Sequence, residues 1–514
     1  MIDSLLEPKP LPEWLLDIFP KCGDRLTNQS RAAAAGSKGV VSQGQRNNRL
    51  TSLAGTMRHR GMSVEAIEAA LLAENARYEP PLPEDEVRGV ARSVSHYPPG
   101  EELAIRWPEP MAEEAFYGLV GDIVRTIEPH TEADRVALLV NTLAYVGNAV
   151  GRTVHGVAEA DWHGTNLFTV MVGETAKGRK GSSRGHIHEL FARVDPVWTH
   201  TRTIGGLSSG EGLIWAVRDP IEKTEAIKEK GRHTGEYETV IVDAGVDDKR
   251  LLVFEPEFAS VLKVMARDGN TLSPVIRQAW DTGHLRTMVK NNPAVATGAH
   301  ISILGHVTKD ELLRYLSATE AGNGFANRFL WFCVQRGQVL PEGGGTPDYN
   351  RLVRPLHDAL EKAKGMGWLK RDSKAREAWA AIYEDLSDGK PGLFGAVTAR
   401  AEAQVLRLSV SYAAIDGSEA VRLPHLKAAL AVWEYSEASA RYIFGDSTGN
   451  RTADRIMDAL RNGELDRTGI SNLFHHHAKT VQIDKALDLL EKEKKACVEH
   501  RNTEGRPEEV WKAV

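Results

Sequence analysis

Gly173 and Gly178 frame the glycine-rich stretch "VMVGETAKGRKGSS", residues 170–183. Glycines at that spacing, between an apolar strand and a helix, let backbone amides converge on one anion. A phosphate loop normally closes on a lysine followed by serine or threonine. Here Arg179 stands where that lysine would fall, Lys180 comes one place later, and Gly181 separates it from Ser182 and Ser183. Lys180 would neutralise the β- and γ-phosphates of ATP, and Ser182 or Ser183 would hold Mg2+. Gly173, Gly178, Arg179 and Gly181 would shape the loop. The alternative is a plain glycine-rich turn without a ligand.

Hydrolysis at such a cradle needs an acid and a cation. Glu255 and Glu257 end the apolar run "RLLVFEPE", and ligands of doubly wound sheets gather at the carboxyl ends of strands. One carboxylate would orient the magnesium shell, the role for which Glu255 stands with Ser182 as metal candidate; the other would polarise the attacking water. Asp243, ending "VIVDA", competes as acid. His306 and Thr308 end "ISILGHVT", where a polar group would touch the γ-phosphate or the water. Arg328, in "GNGFANRFLWF", would reach a neighbouring subunit's nucleotide from a subunit edge. "GLSSGEGLIWAVRDP" is a second glycine/serine loop before a helix.

These residues need elements to carry them. "LFTVMVG", "YETVIVDA", "RLLVFEPE", "AHISILGHVT" and "RFLWFCVQ" read as strands, with helices between them. That alternation predicts an α/β layered sheet. The domains expected are a flexible segment (1–43), a small helical domain (44–99), a proline-rich linker (100–112), the ATPase core (113–345), a helical lid (346–445) and a C-terminal winged helix (446–514). The small domain is marked by Leu50, Leu53, Ala54 and Met57 on one helical face, and by the acids of "PEDEV" opening another helix. In the last segment, three apolar helices precede "ACVEHRN", "TEGRP" and "EEVWKAV", read as strand, turn and strand.

The chain has 514 residues, a net charge of −6, and 42% hydrophobic against 26% charged residues. Several globular domains fit that length. The overall field does not attract nucleic acid, so any contact must come from local patches. Arg46, Arg49, Arg58 and Arg60 form one such patch; Arg286 and Lys290 lie in "GHLRTMVKNNPA"; Lys485 lies in the C-terminal segment. Three isolated cysteines give no zinc pattern or disulfide framework, so a cytoplasmic setting is expected. No apolar run is long enough to span a bilayer. "FHHHAK" places its histidines consecutively, on different faces of a helix, and predicts no metal site.

"RNNRLTSLAGTMRHRGMSVEAIEAALLAENARYEPPLPEDEV" resembles the small helical C-terminal domain of bacterial and phage primases. "GETAKGRKGSS", "GLSSGEGLI", "RLLVFEPEFASVL", "HISILGHVT" and "GNGFANRFLWF" resemble the ATPase module of phage and plasmid primase–helicases. In that family the late lysine is the norm, which implies a variant cradle. A wider similarity is to minichromosome-maintenance helicases of the AAA+ class. "NRF" at 327–329 is similar to their arginine-finger segment, and "VTARAEAQVLRLSVSYAAID" to their lid. By that likeness Arg328 is the finger and Arg400 a lid sensor.

The resemblances imply a P-loop NTPase core of AAA+/RecA-like type, working as a DNA helicase or translocase on single-stranded or forked DNA. They also imply a homo-oligomeric ring, hexameric by analogy, with each active site shared between subunits. Primer synthesis is not expected, because the residues before the helical unit carry neither a paired-aspartate palm nor a zinc pattern; a separate primase would supply it. The rival expectation is a DNA-binding initiator or regulator that uses ATP only as an assembly switch.

Overall fold

The computed structural model describes Leu50, Ala54, residues 64–75, Tyr78, residues 81–95, and residues 107–514 except 175–179, 230–231, 289–293, 391, 446, 449, 462, 475–479, 493–494 and 502–507. The chain forms two compact units, Met1–Arg106 and Trp107–Val514.

In the first unit, α1 (Val64–Asn75) and α2 (Glu84–Ser95) pack their apolar faces together. Ile67, Leu71, Val87, Val90 and Ala91 are buried with Leu50 and Ala54. Glu84, Asp85 and Glu86 occupy the first turn of α2, where the helix dipole favours acids. The Asn75 amide both donates to the Leu82 carbonyl (2.8 Å) and accepts from the Leu82 N–H (2.9 Å), which fixes the chain reversal between the helices.

The second unit is built on a five-stranded parallel sheet. Its strands in chain order are β1 (Phe168–Val172), β2 (Thr203–Ile204), β3 (Arg250–Glu255), β4 (His300–Val307) and β5 (Phe329–Cys333). Their order across the sheet is β5-β1-β4-β3-β2. β1, β4 and β5 are buried at every residue, as strands covered on both faces must be. Before β1 runs α3 (Arg135–Val150), buried from Val136 to Val150, with the Asp134 carboxylate capping its start. α4 (Lys180–Val194) follows β1, and α5 (Phe258–Met265) and α6 (Leu272–Asp281) follow β3.

Two asparagines interrupt the apolar run of α3, and each has a structural partner set. Asn148 donates to the Leu251 and His300 carbonyls and to the Ser302 hydroxyl, and accepts from the Trp198 indole. Asn141 donates to the Ser183 hydroxyl (3.0 Å), fixing the first turn of α4 against α3.

After β5 the chain is helical: α7 (Asn350–Lys364), α8 (Ser373–Ser387), α9 (Gly392–Thr398), α10 (Ala401–Ile415) and α11 (Leu423–Phe444). α11 lies along the outer edge of the sheet. The Ser436 and Ser439 hydroxyls accept from the N–H groups of Trp331 and Cys333 in β5. Arg407, in α10, is fully buried and makes no carboxylate bond among the described residues. It donates to the Trp280 carbonyl (2.7 Å), the Asn166 side-chain oxygen (2.8 Å) and the Asn166 carbonyl (3.2 Å), joining this helical segment to the sheet. Replacing it with alanine strands those acceptors and opens a cavity. Arg407→Ala is expected to cost about 3 kcal/mol or more, read as a lower urea midpoint.

Residues 451–513 carry three helices, Arg451–Leu460, Arg467–Leu473 and Thr480–Lys492, and a three-stranded antiparallel sheet. Ile456, Leu460, Ile470, Leu487, Leu490 and Trp511 share a core of their own. The helices and the closing hairpin fall where the sequence put them.

One strand assignment is corrected. "YETVIVDA" does not enter the parallel sheet. It belongs to a long antiparallel hairpin, Ile221–Glu229 with Arg232–Asp243, on which Tyr237, Ile241 and Val242 are exposed. Consecutive β-branched residues, Thr239 to Val242, satisfied the strand pattern without burial. The place in the sheet goes to β2, two residues long and too short for any periodicity. With this, Asp243 loses its standing as an acid of the site. It closes the base of the hairpin on Arg218 at 2.9 Å.

Candidate functional site

Three of the parallel strands end in groups singled out from the sequence, and a fourth ends one residue before the second glycine/serine loop. β1 runs into Gly173 and β4 into Thr308; β3 ends at Glu255 and β2 runs into Gly205. The register pairs His306 with Met171, Val307 with Val172, and Gly305 with Glu255. The loop, one acid and the His306 position are therefore gathered at one edge of the sheet.

Lys180 is the first residue of α4 and turns back over the strand ends. Its ammonium donates to the carbonyls of Gly173 (2.8 Å), Val307 (3.1 Å) and Glu174 (3.3 Å). Burial lowers its pKa, opposed by the nearby charge of Glu311. Gly178 and Arg179 lie outside the described residues. Gly181 and Ser182 are exposed at the open N-terminus of α4, whereas Ser183 is buried. The Ser183 hydroxyl donates to the Lys180 carbonyl (2.7 Å) and accepts from Asn141, so of the two serines Ser182 is the one free to face a ligand. Gly173 is required by space: a Cβ there would come within 2.4 Å of the Val334 carbonyl.

Glu255 is buried. One carboxylate oxygen accepts from the N–H groups of Gly206 (2.6 Å) and Leu207 (2.7 Å), which ties the "GLSSGEG" loop to the end of β3. Glu257 is exposed at the N-cap of α5 and makes no capping bond there. The two carboxylates thus differ in kind, one anchored and one open.

His306 is buried against Phe254, ring to ring edgewise at 5.0 Å. Its Nε2 has no hydrogen-bond partner among the described residues. Burial, with Lys180 and Arg184 adding to it, pushes its pKa down to about 3, so the ring is neutral at physiological pH. Thr308 serves a different purpose, capping the next helix in a reciprocal box with Glu311.

Burial also holds His300 at about 3 and His163 at about 4. Unfolded, all three titrate near 6.5. Their stability contribution is complete above that value and is lost as pH falls from 6.5 toward 3–4. Each group contributes about 1.4 kcal/mol per pH unit across that window. The thermal midpoint is expected to fall steeply between pH 6.5 and 4, measurable by scanning calorimetry.

Arg328 and Arg400 lie at the other end of the sheet. Arg328 immediately precedes β5, whose Phe329 pairs with Phe168 at the start of β1. The length of β1, on the order of 15 Å, separates that edge from Lys180. Arg328 is buried and gives its guanidinium to Asp281 at 2.6 and 3.1 Å, and to the Gly324 carbonyl. Arg400 reaches the same carboxylate at 3.8 Å, from the turn between α9 and α10. The Trp280 ring lies beneath both guanidiniums, at 5.7 and 5.3 Å, and beneath Arg407 at 3.7 Å. The two arginines, separately singled out, share one carboxylate and one indole. Asp281 and Trp280 carried no signal in the sequence.

Of the nucleic-acid candidates, Arg286 is exposed in a short hairpin, Leu285–Arg286 with Val295–Ala296. Lys290 lies outside the described residues, as do Arg46, Arg49 and Arg58. Lys485 is exposed on the helix Thr480–Lys492. Among the described residues no cluster of histidine, cysteine or acids is arranged to hold a metal, and no helix is long and apolar enough to cross a membrane. His475, His476 and His477 lie outside the described residues.

Residues 36–100 match the family described as Primase C terminal 1 (PriCT-1). No curated protein matches the chain. The matched segment falls within the first unit and contains α1 and α2, so the chain carries a primase-associated module, which supports a primase-related role in replication.

Proposed function

We propose that the second unit is an ATPase of the P-loop class, with AAA+/RecA-like topology, a helical lid and a C-terminal winged helix, and that it drives a DNA helicase or translocase. The observation that carries this reading is the distribution of charged groups on the β5-β1-β4-β3-β2 sheet. Lys180 and the open start of α4 stand at one edge with Glu255 and His306, while Arg328 and Arg400 stand at the other. Cations so far from their own loop would act on phosphates of a second copy of the chain, in a ring with shared sites that is hexameric by analogy.

ATP fits the loop edge in chemical terms. The first turn of α4 offers backbone N–H groups with Gly181 and Ser182 exposed beside them, and Lys180 supplies the positive charge. Mg2+, held through Ser182 with Glu255 behind it, would neutralise phosphate charge. Glu257, exposed and uncapped, would orient the attacking water. His306, neutral and unpartnered at Nε2, can accept or donate one hydrogen bond near the γ-phosphate. Arg286, Lys290 and Lys485 would contact DNA, with Arg46, Arg49 and Arg58 in the primase-associated unit. A separate primase would make the primers.

One feature favours the rival reading, a nucleotide-switched initiator with little turnover. Glu255 and Arg328 are already satisfied within the chain, by loop amides and by Asp281. Turnover measurements separate the two. A motor hydrolyses ATP faster when single-stranded DNA is added; a switch binds ATP with negligible hydrolysis in either condition. If purified protein binds no nucleotide, both readings fail.

A further inference from the structure

At the end of the sheet where Arg328 and Arg400 lie, the second unit also carries an exposed aromatic ledge. The hairpin His155–Ala158 with Asp161–Gly164 leads toward the start of β1. On it the Trp162 ring stacks on His155, with centroids 4.0 Å apart and planes within 8°. Trp368 joins the same small sheet as the bridge partner of His155. Partners in a ladder point their side chains to one face, so Trp162, His155 and Trp368 share it. His155 is buried between them, while Trp162 remains 56% exposed and Trp368 50% exposed.

Two exposed indoles on one face form a patch, and His155 between them is backbone-paired to both flanks. Cations accompany them. Lys370, two residues beyond Trp368, places its ammonium 4.3 Å from the Trp368 ring. Arg371 alternates to the opposite face of the strand, where it lies over Trp379 at 3.9 Å. Lys374 and Arg376 continue the run into α8. None of these four has a carboxylate partner among the described residues. Asp372, between them, is committed to capping α8 through the Ala375 N–H.

We propose that this ledge is a binding surface for single-stranded nucleic acid, with bases stacking on Trp162 and Trp368 and backbone phosphates following Lys370 toward α8. Flat rings with unpaired cations beside them match a polyanion that carries its own flat rings. The hairpin leads into the beginning of β1, so the surface is distinct from the loop edge that would hold ATP. The inference rests on the nucleic-acid reading of the chain, but not on ATP hydrolysis.

The test is fluorescence anisotropy of a labelled 15-mer oligothymidylate with the full chain, without nucleotide, over a series of salt concentrations. Trp162→Ala and Trp368→Ala are each expected to weaken binding about tenfold at every salt concentration, leaving the salt slope unchanged. Lys370→Gln is expected to reduce the slope by about 0.7. A general folding defect would not split the variants in this way. Wild-type binding that is indifferent to all three variants overturns the ledge and leaves the motor intact. Absence of binding by the wild type overturns the nucleic-acid reading itself, and the ledge with it.

Discussion

Lys180→Ala is expected to reduce ATP turnover by at least about a hundredfold without unfolding the protein. The ammonium of Lys180 is the cation fixed at the end of β1. It rests on three backbone carbonyls and pairs with no carboxylate there. Carbonyls are weak partners for a full charge, so the lysine is positioned yet available to a phosphate. Removing it leaves neutral carbonyls, which water can reach at a half-buried site, so the fold has little to lose. Transition-state charge on the phosphoryl group loses a fixed cation, and effects of that kind run to about 3–4 kcal/mol. Steady-state hydrolysis beside circular dichroism checks both halves. Full activity in Lys180→Ala would mean that residues 173–183 are only a turn. Lys180→Arg should not rescue, because the longer planar group cannot occupy the same three-carbonyl seat.

Arg328→Ala is expected to have an effect of comparable or greater size, about a thousandfold on turnover, with nucleotide binding retained. The arginine lies far from its own loop, so on the shared-site proposal the defect would fall on the neighbouring site. Mixing Arg328→Ala chains with Lys180→Ala chains should therefore restore part of the turnover. Some interfaces in the mixture join an intact loop to an intact arginine. Recovery on mixing supports the shared site; two inactive proteins that stay inactive together argue for action within one chain. A stability cost will accompany the substitution, because Asp281 keeps only the more distant Arg400. Arg328→Lys separates the two effects: it keeps a charge for Asp281 but lacks the second arm for a phosphate.

Much of this architecture was readable beforehand for a plain physical reason. β1, β4 and β5 are buried on both faces, so their sequences are unbroken apolar runs with punctuation at each end. The C-terminal helices announce themselves by period, through Ile456, Leu460, Ile483, Leu487 and Leu490. What stayed illegible depended on distance along the chain or on shortness. β2 has two residues and no pattern to show. The exposed hairpin carries the unbroken β-branched run of a buried strand, Val240, Ile241 and Val242, yet leaves all three exposed. Arg328 meets Asp281 across 47 residues, and neither residue signals the other. The difference between Ser182 and Ser183 comes from Asn141, a buried polar group on another helix.

The serines of α11 have a consequence for how copies of this chain can join. A sheet whose outermost strand is open invites another strand to extend it, which is how many chains dimerise or aggregate. Here Ser436 and Ser439 occupy the Trp331 and Cys333 amides on one flank. On the other flank β2 offers only two residues. Neither flank can template a continuous sheet from one subunit to the next. If copies of the chain assemble as proposed, they would join through side chains and not through a shared sheet, and such contacts can loosen and re-form.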